Sequence, residues 1–202
     1  MDEQTLQYLA RADKVLGRLI RKVGPCTLKQ ERNCSPYKSL VRSVAYQQLN
    51  GTAAATILGR VQKLFPGKAF PEPEDLVAIS EDQLRGAGLS RAKTAAVKDI
   101  AAKTLAGVVP DSRTIRKLSN EEIMERLTTI RGVGPWTVEM LLMFRLGRPD
   151  VLPVTDYGVR KGFAVTYKLQ ELPTPEELLA HGERWRPCRT TAAWYLWRSL
   201  EL

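Results

Sequence analysis

A chain of 202 residues with 44% hydrophobic and 26% charged side chains can bury a substantial core and is too apolar to stay disordered. Lysine and arginine number 31 against 22 aspartates and glutamates, a formal charge of +9. That balance attracts polyanions over long range in a salt-dependent way but sets no fold. Three cysteines, Cys26, Cys34 and Cys188, are too few and too scattered for a disulfide framework or a four-cysteine metal or iron–sulfur site, and they fit a reducing interior. The acidic start, Met1 to Leu6, lacks the apolar core of a signal peptide. The most apolar stretch, Trp136 to Phe144, contains Glu139 and is too short to span a bilayer.

Helical periodicity dominates the chain, and no run alternates at period two. The spacing predicts an amphipathic helix from Gln4 to Val23, a loop through Pro36, and a second helix from Tyr37 to Leu49. Asn50 and Gly51 break the chain before a helix from Thr52 to Leu64, and the Pro- and Gly-rich segment from Phe65 to Pro73 reads as a loop. Ser80 and Gln83 start a short helix, and the turn Gly86-Ala87-Gly88 leads into another from Arg91 to Leu105. Ser119 with Glu122 forms a capping box for a helix ending at Leu127. A further helix from Pro135 to Leu146 is stopped by Gly147 and Pro149. After a loop to Thr155, helices are expected from Asp156 to Tyr167, from Thr174 onward, and from Thr190 to Leu200. The fold class is all-α, with about nine or ten helices. The only histidine, His181, is expected on a polar helix surface, which disfavours both histidine-based nucleophilic catalysis and metal-activated water.

The run Ile130-Arg131-Gly132-Val133-Gly134-Pro135-Trp136-Thr137 carries the most functional information. Two glycines flanking one apolar residue between helices suit a tight hairpin open to close approach by a partner. Pro135 suits the first position of the second helix. The amides of that helix start, chiefly Gly134, Trp136 and Thr137, favour an anion, and for a basic protein a backbone phosphate is the natural one. Gly-x-Gly alone is weak, since an ordinary helix connection has the same pattern.

The hairpin, together with Pro153-Val154-Thr155-Asp156-Tyr157-Gly158-Val159-Arg160-Lys161-Gly162 and the block from Arg184 to Trp197, resembles the helix-hairpin-helix DNA glycosylases. The branch is that of DNA-3-methyladenine glycosylase II, acting on alkylated bases, and the likeness runs from about Tyr37 to Trp197. It implies one glycosylase domain of two helical lobes with the active cleft between them. The central lobe would cover about 37–150, with the hairpin at 119–146, and the second lobe about 1–36 plus 151–202. Some members carry an extra N-terminal lobe; only about 36 residues precede the matching region here, so the compact form is expected.

The resemblance maps the catalytic carboxylate onto Asp156. Breaking an N-glycosidic bond develops positive charge on the deoxyribose, which a fixed anion stabilises. The rival role of Asp156 is N-cap of the following helix, and the two can coexist. By the same likeness Trp136, Met140 and Trp197 line a base pocket, where an electron-rich ring face attracts a cationic alkylated base by roughly 0.5–2 kcal/mol. Core packing is the alternative for Trp185, Trp194 and Trp197. Met140 and Cys188 stand where relatives can carry aromatics, which leaves the breadth of the pocket open. Gln48 and Leu49 match the intercalating segment that fills the stack when a nucleotide flips out, with a plain core leucine as the alternative. Gly132, Gly134, Trp136 and Thr137 would grip the DNA backbone, and the carbonyls of Thr128, Ile130 and Val133 could hold a monovalent cation.

Strand-cleaving members of the superfamily carry a lysine where this chain has Trp136, so simple base hydrolysis is expected. The implied protein is a monomer that acts on double-stranded DNA containing alkylated bases, not on membranes, and needs no organic cofactor or catalytic metal. Its compartment would follow the DNA, cytoplasmic and nucleoid-associated in a bacterium and nuclear in a eukaryote. Two rivals remain: a glycosylase–lyase for oxidised bases, and a helix-hairpin-helix module that binds DNA without catalysis.

Overall fold

In the computed structural model, which describes residues 3–31, 34–49 and 51–202, Asp13 divides the opening amphipathic run into two helices. These are α1 (Glu3–Ala12) and α2 (Lys14–Val23). Asp13 adopts an extended backbone (φ −145°, ψ 106°), and its carboxylate accepts the N–H groups of Val15 and Leu16. An interior aspartate that caps a new start is a better use of the residue than continuing one helix. There follow α3 (Pro36–Tyr46), α4 (Gly51–Lys63), α5 (Pro73–Ala78), α6 (Glu81–Gly86) and α7 (Arg91–Leu105). The remainder are α8 (Asn120–Leu127), α9 (Pro135–Met140), α10 (Tyr157–Tyr167), α11 (Pro175–Gly182) and α12 (Arg189–Arg198).

The described residues thus form twelve α-helices and no strand, more helices than the nine or ten expected. The division at Asp13 accounts for one. Another is α5, where a reciprocal capping box between Glu72 and Asp75, with Pro73 in the first turn, starts a short helix just past the loop at 65–73. The boxes Ser80/Gln83 and Ser119/Glu122 form as their spacing predicts, and a third, Thr174/Glu177, starts α11. Helix α3 ends at Tyr46, short of the expected Leu49. Asn50, the expected break, lies outside the described residues. No helix among the described residues is long and apolar enough to cross a membrane.

The chain divides into two compact units, Met1–Gln30 with Leu142–Leu202, and Glu31–Leu141. Both boundaries fall earlier than the expected 36/37 and 150/151. In the unit Glu31–Leu141, α7 is the central helix and packs against α3, α5 and α6. Its Val97, Ile100 and Ala101 are buried, as are Leu40, Val41 and Val44 of α3, Leu76 of α5 and Leu84 of α6. Burying each such leucine or isoleucine contributes about 1.5–3 kcal/mol.

In the other unit, α10 and α12 pack together and both meet α2. A polar node sits among them. Asp13 is only 5% exposed. Beyond its two backbone amides, it accepts hydrogen bonds from Tyr167 Oη (2.5 Å) and Trp185 Nε1 (3.1 Å) and pairs with His181 Nε2 (3.0 Å). His181 is therefore not the surface residue expected. Its ring packs edge-on against Phe163, Tyr167 and Trp185, with centroids 4.7 to 5.2 Å away. Burial pushes the Asp13 carboxyl pKa up, but the hydrogen bonds from His181, Tyr167, the Leu16 amide and Trp185 outweigh it and hold the group well below the usual carboxylate range.

A carboxyl depressed on folding stabilises the native state above its unfolded pKa, about 3.9, and loses that contribution as pH falls further. Asp13→Asn keeps an N-cap but removes the charge, so it should lower stability by about 2–3 kcal/mol at pH 7. In urea unfolding followed by circular dichroism, the gap from the parent should narrow as the pH drops below about 4. A gap that widens in acid would contradict this account.

Candidate functional site

The hairpin between α8 and α9 is closed by short-range bonds, Ile130 N–H to the Leu127 carbonyl and Val133 N–H to the Ile130 carbonyl, each 3.1 Å. Ile130 and Val133 are buried and anchor the turn. The Arg131 N–H donates to Asp99 Oδ2 of α7 at 2.7 Å. Gly132 has φ +75°, and a Cβ there would lie 2.6 Å from the Ala96 Cβ of α7. Backbone conformation and close approach both demand glycine at this position. Gly134 is different. It is extended and exposed, and an added Cβ would meet nothing within 4 Å. The protein itself does not need glycine there, which leaves bare backbone for an incoming group.

The expected phosphate contacts divide on inspection. Gly132 and Gly134 are exposed, and neither N–H has a hydrogen-bond acceptor among the described residues. Thr137 is 1% exposed. Its N–H donates to the Gly134 carbonyl at 3.0 Å and its hydroxyl accepts from Gln47 Nε2 at 3.0 Å. Both polar groups of Thr137 are thus engaged within the protein, at the helix start and with the end of α3. Trp136 and Met140 are both half-buried and lie at i and i+4 on one face of α9. Beyond them the chain continues in a π-type helix, Leu141–Leu146, a winding that occurs often near functional sites, and turns out at Gly147 with φ +66°. Of the three carbonyls expected to hold a cation, that of Ile130 already accepts the Val133 N–H, leaving it one lone pair.

At the end of α3, Gln47 turns extended (ψ 131°) and Gln48 enters the left-handed region at φ +57°. Leu49 is 39% exposed, so it is not the core leucine that was its alternative. The Gln47 side chain reaches the Gly132 carbonyl at 3.1 Å, which ties this turn to the hairpin. A recess of about 560 Å³ in the same unit, lined by residues that include Tyr37, Glu72, Asp111 and Arg126, holds none of the expected site residues.

In the other unit, the loop before Asp156 is pinned to the start of α12. Arg189 grips Asp150 with two nitrogens (2.6 and 3.1 Å), and Thr190 Oγ1 accepts the Val151 N–H and donates to the Arg148 carbonyl. Asp156 is half-buried and caps α10, its Oδ1 accepting the Val159 N–H at 2.7 Å. The same oxygen accepts Trp197 Nε1–H at 2.8 Å. N-cap and accessible carboxylate therefore coexist. The Trp197 ring stacks on Phe144, centroids 5.9 Å apart at 27°. Trp185 and Trp194 are buried, so core packing is the right reading for those two.

Two participants escaped sequence reasoning. A Cβ on Gly158 would stand 2.8 Å from Trp197 Cδ1 and 2.9 Å from its Nε1. Glycine in the first turn of α10 is therefore what lets the indole reach Asp156. The available signal was a glycine at a helical position where it costs about 1 kcal/mol relative to alanine. Phe144 carried no signal, since an aromatic in an apolar helix looks like any core residue.

Residues 41–187 match the model of the HhH-GPD superfamily of base excision DNA repair proteins. DNA-3-methyladenine glycosylase 1 of Schizosaccharomyces pombe is 39% identical over 198 residues, covering 96% of this chain and 86% of the relative. The structure of the S. pombe 3-methyladenine DNA glycosylase Mag1 in complex with abasic DNA superposes with a TM-score of 0.92 at 38% identity, covering 98% of this chain and 97% of that one. A DNA-3-methyladenine glycosidase from Bacillus halodurans gives 0.85 at 36% identity, covering 98% and 89%. The glycine hairpin, the capping aspartate and a family match over most of the length converge, and the chain belongs to the HhH-GPD superfamily of base excision DNA repair proteins.

Proposed function

We propose that this protein is a monofunctional DNA glycosylase that flips alkylated purines out of double-stranded DNA and hydrolyses their N-glycosidic bond, leaving an abasic site. The observation that carries the reading is the Asp156 carboxylate, half-exposed yet held through Oδ1 by the Val159 amide and the Trp197 indole N–H. As the bond to the base lengthens, positive charge grows on the sugar, and a carboxylate already oriented stabilises it without reorganising. Alkylation at N3 or N7 makes the base a cation and a good leaving group, so no strong general acid is required. A relative at 38% identity is seen with abasic DNA, the product such a reaction leaves.

Trp136 offers an aromatic face to a cationic base, and Met140 lies one turn along the same face. Trp197 has two uses, a ring half-exposed beside Phe144 and an N–H that holds the carboxylate. Gly132 and Gly134 present amides to a backbone phosphate, and Leu49, with Gln48, enters the stack vacated by the flipped nucleotide. Tryptophan at position 136 supplies no amine for Schiff-base strand cleavage. Sodium borohydride should therefore trap no covalent adduct with damaged DNA.

Asp156→Asn should slow release of 3-methyladenine and 7-methylguanine from methylated DNA about 100-fold or more, measured by chromatography of the free bases. Binding to undamaged duplex should persist; undiminished release would refute the assignment. Trp197→Phe keeps a ring but deletes the N–H, and should cost about 10-fold in single-turnover rate while leaving duplex affinity in place. A phenylalanine variant as fast as the parent would show that the indole bond does not serve the chemistry.

A further inference from the structure

Helix α7 carries Lys93, Ala96 and Asp99 at i, i+3 and i+6, a spacing that keeps them on one side of the helix. All three meet functional turns of their own unit. Ala96 abuts Gly132, and Asp99 accepts the Arg131 N–H. Lys93 reaches the end of α3, its Nζ donating to the carbonyls of Ala45 (2.9 Å) and Gln47 (2.6 Å). The Gln47 amide then crosses to the Gly132 carbonyl (3.1 Å) and the Thr137 hydroxyl (3.0 Å). One continuous path thus runs from the ammonium through Gln47 to the hairpin. Immediately beyond Gln47 the chain enters the left-handed conformation at Gln48 and exposes Leu49. Side chains other than glycine and asparagine avoid that conformation, and it persists where surrounding bonds over-determine it. Burial lowers the Lys93 pKa, in keeping with an ammonium withdrawn from water to serve these carbonyls.

We propose that Lys93 and Gln47 are positioning residues for base flipping: they lock the Gln48–Leu49 turn to the glycine hairpin, so that wedge and phosphate grip engage the duplex as one rigid piece. This rests on the reading of Leu49 as the intercalating residue. A leucine on a slack turn would retreat under the pressure of the stacked bases. A leucine braced against the gripped backbone converts that pressure into unstacking. An ordinary lysine cap on the end of α3 has the same local contacts but a different consequence, because it would alter stability alone.

Single-turnover excision from methylated duplex and from methylated single strands separates these readings, since a single strand has little stack to open. Lys93→Met and Gln47→Ala should each slow excision from duplex about 10-fold and leave the single-strand rate within about 2-fold, a split that a folding defect would not produce. Lys93→Arg, which can still reach both carbonyls, should recover most of the duplex rate. Leu49→Ala should lose about as much as Lys93→Met, and the double variant should lose no more than either, because both act through the same wedge. Equal slowing on both substrates, or losses that multiply in the double variant, would overturn the brace while leaving the wedge in place. Parent-like excision by Leu49→Ala would remove the wedge itself, and the brace with it. Thermal melting of each variant identifies any loss that comes from unfolding.

Discussion

A single carboxylate oxygen, Asp156 Oδ1, accepts both the amide that starts α10 and the indole N–H of Trp197. Much of the surrounding unit serves that convergence. Gly158 leaves the room that the indole needs, and Phe144 supports the face of the ring. Arg189 and Thr190 fasten the incoming loop to the same helix, α12, that delivers the tryptophan. The carboxylate is thus fixed by groups arriving from two helices, while the residue keeps part of its surface open. A rigid, half-exposed anion suits a reaction in which charge appears on a sugar and must be met without delay.

Asp13 is a counterpart with the same local chemistry and a different fate. It too caps a helix, and it too accepts a tryptophan N–H, from Trp185. Yet it sits 5% exposed, with Tyr167 and His181 also directed at its second oxygen. With its acceptor capacity turned inward, it joins the beginning of the chain to its final third and has no access to a substrate. Two aspartates that share a helix cap and an indole N–H become a fastener and a candidate catalyst because one is buried and the other is half-exposed.

The unit Glu31–Leu141 works by registration. The hairpin and the Gln48–Leu49 turn are far apart in sequence, yet both take their position from α7, through an alanine that touches Gly132, an aspartate that holds the Arg131 amide, and a lysine that holds the end of α3. Because the contacts lie on one side of the helix, the spacing of the two turns inherits the stiffness of a fifteen-residue helix. The glycines divide the labour: Gly132 is demanded from within, while Gly134 is left bare toward the outside.

The sequence by itself determined what depends on near neighbours. The capping pairs Ser119/Glu122 and Thr174/Glu177, the proline-led start of α9, the positive-φ glycine of the hairpin and the all-helical class follow from propensities within a few residues. The family likeness in three blocks also pointed to Asp156. Tertiary structure alone decided which polar groups are already engaged. Thr137 holds the Gln47 side chain with its hydroxyl, His181 turns inward to Asp13, Leu49 stands outside the core, and Trp197 bonds Asp156. Those hydrogen bonds join residues from 41 to 168 positions apart. They depend on how helices pack, and a hydrogen-bond donor looks the same in sequence whether its acceptor is a packed neighbour or a strand of DNA.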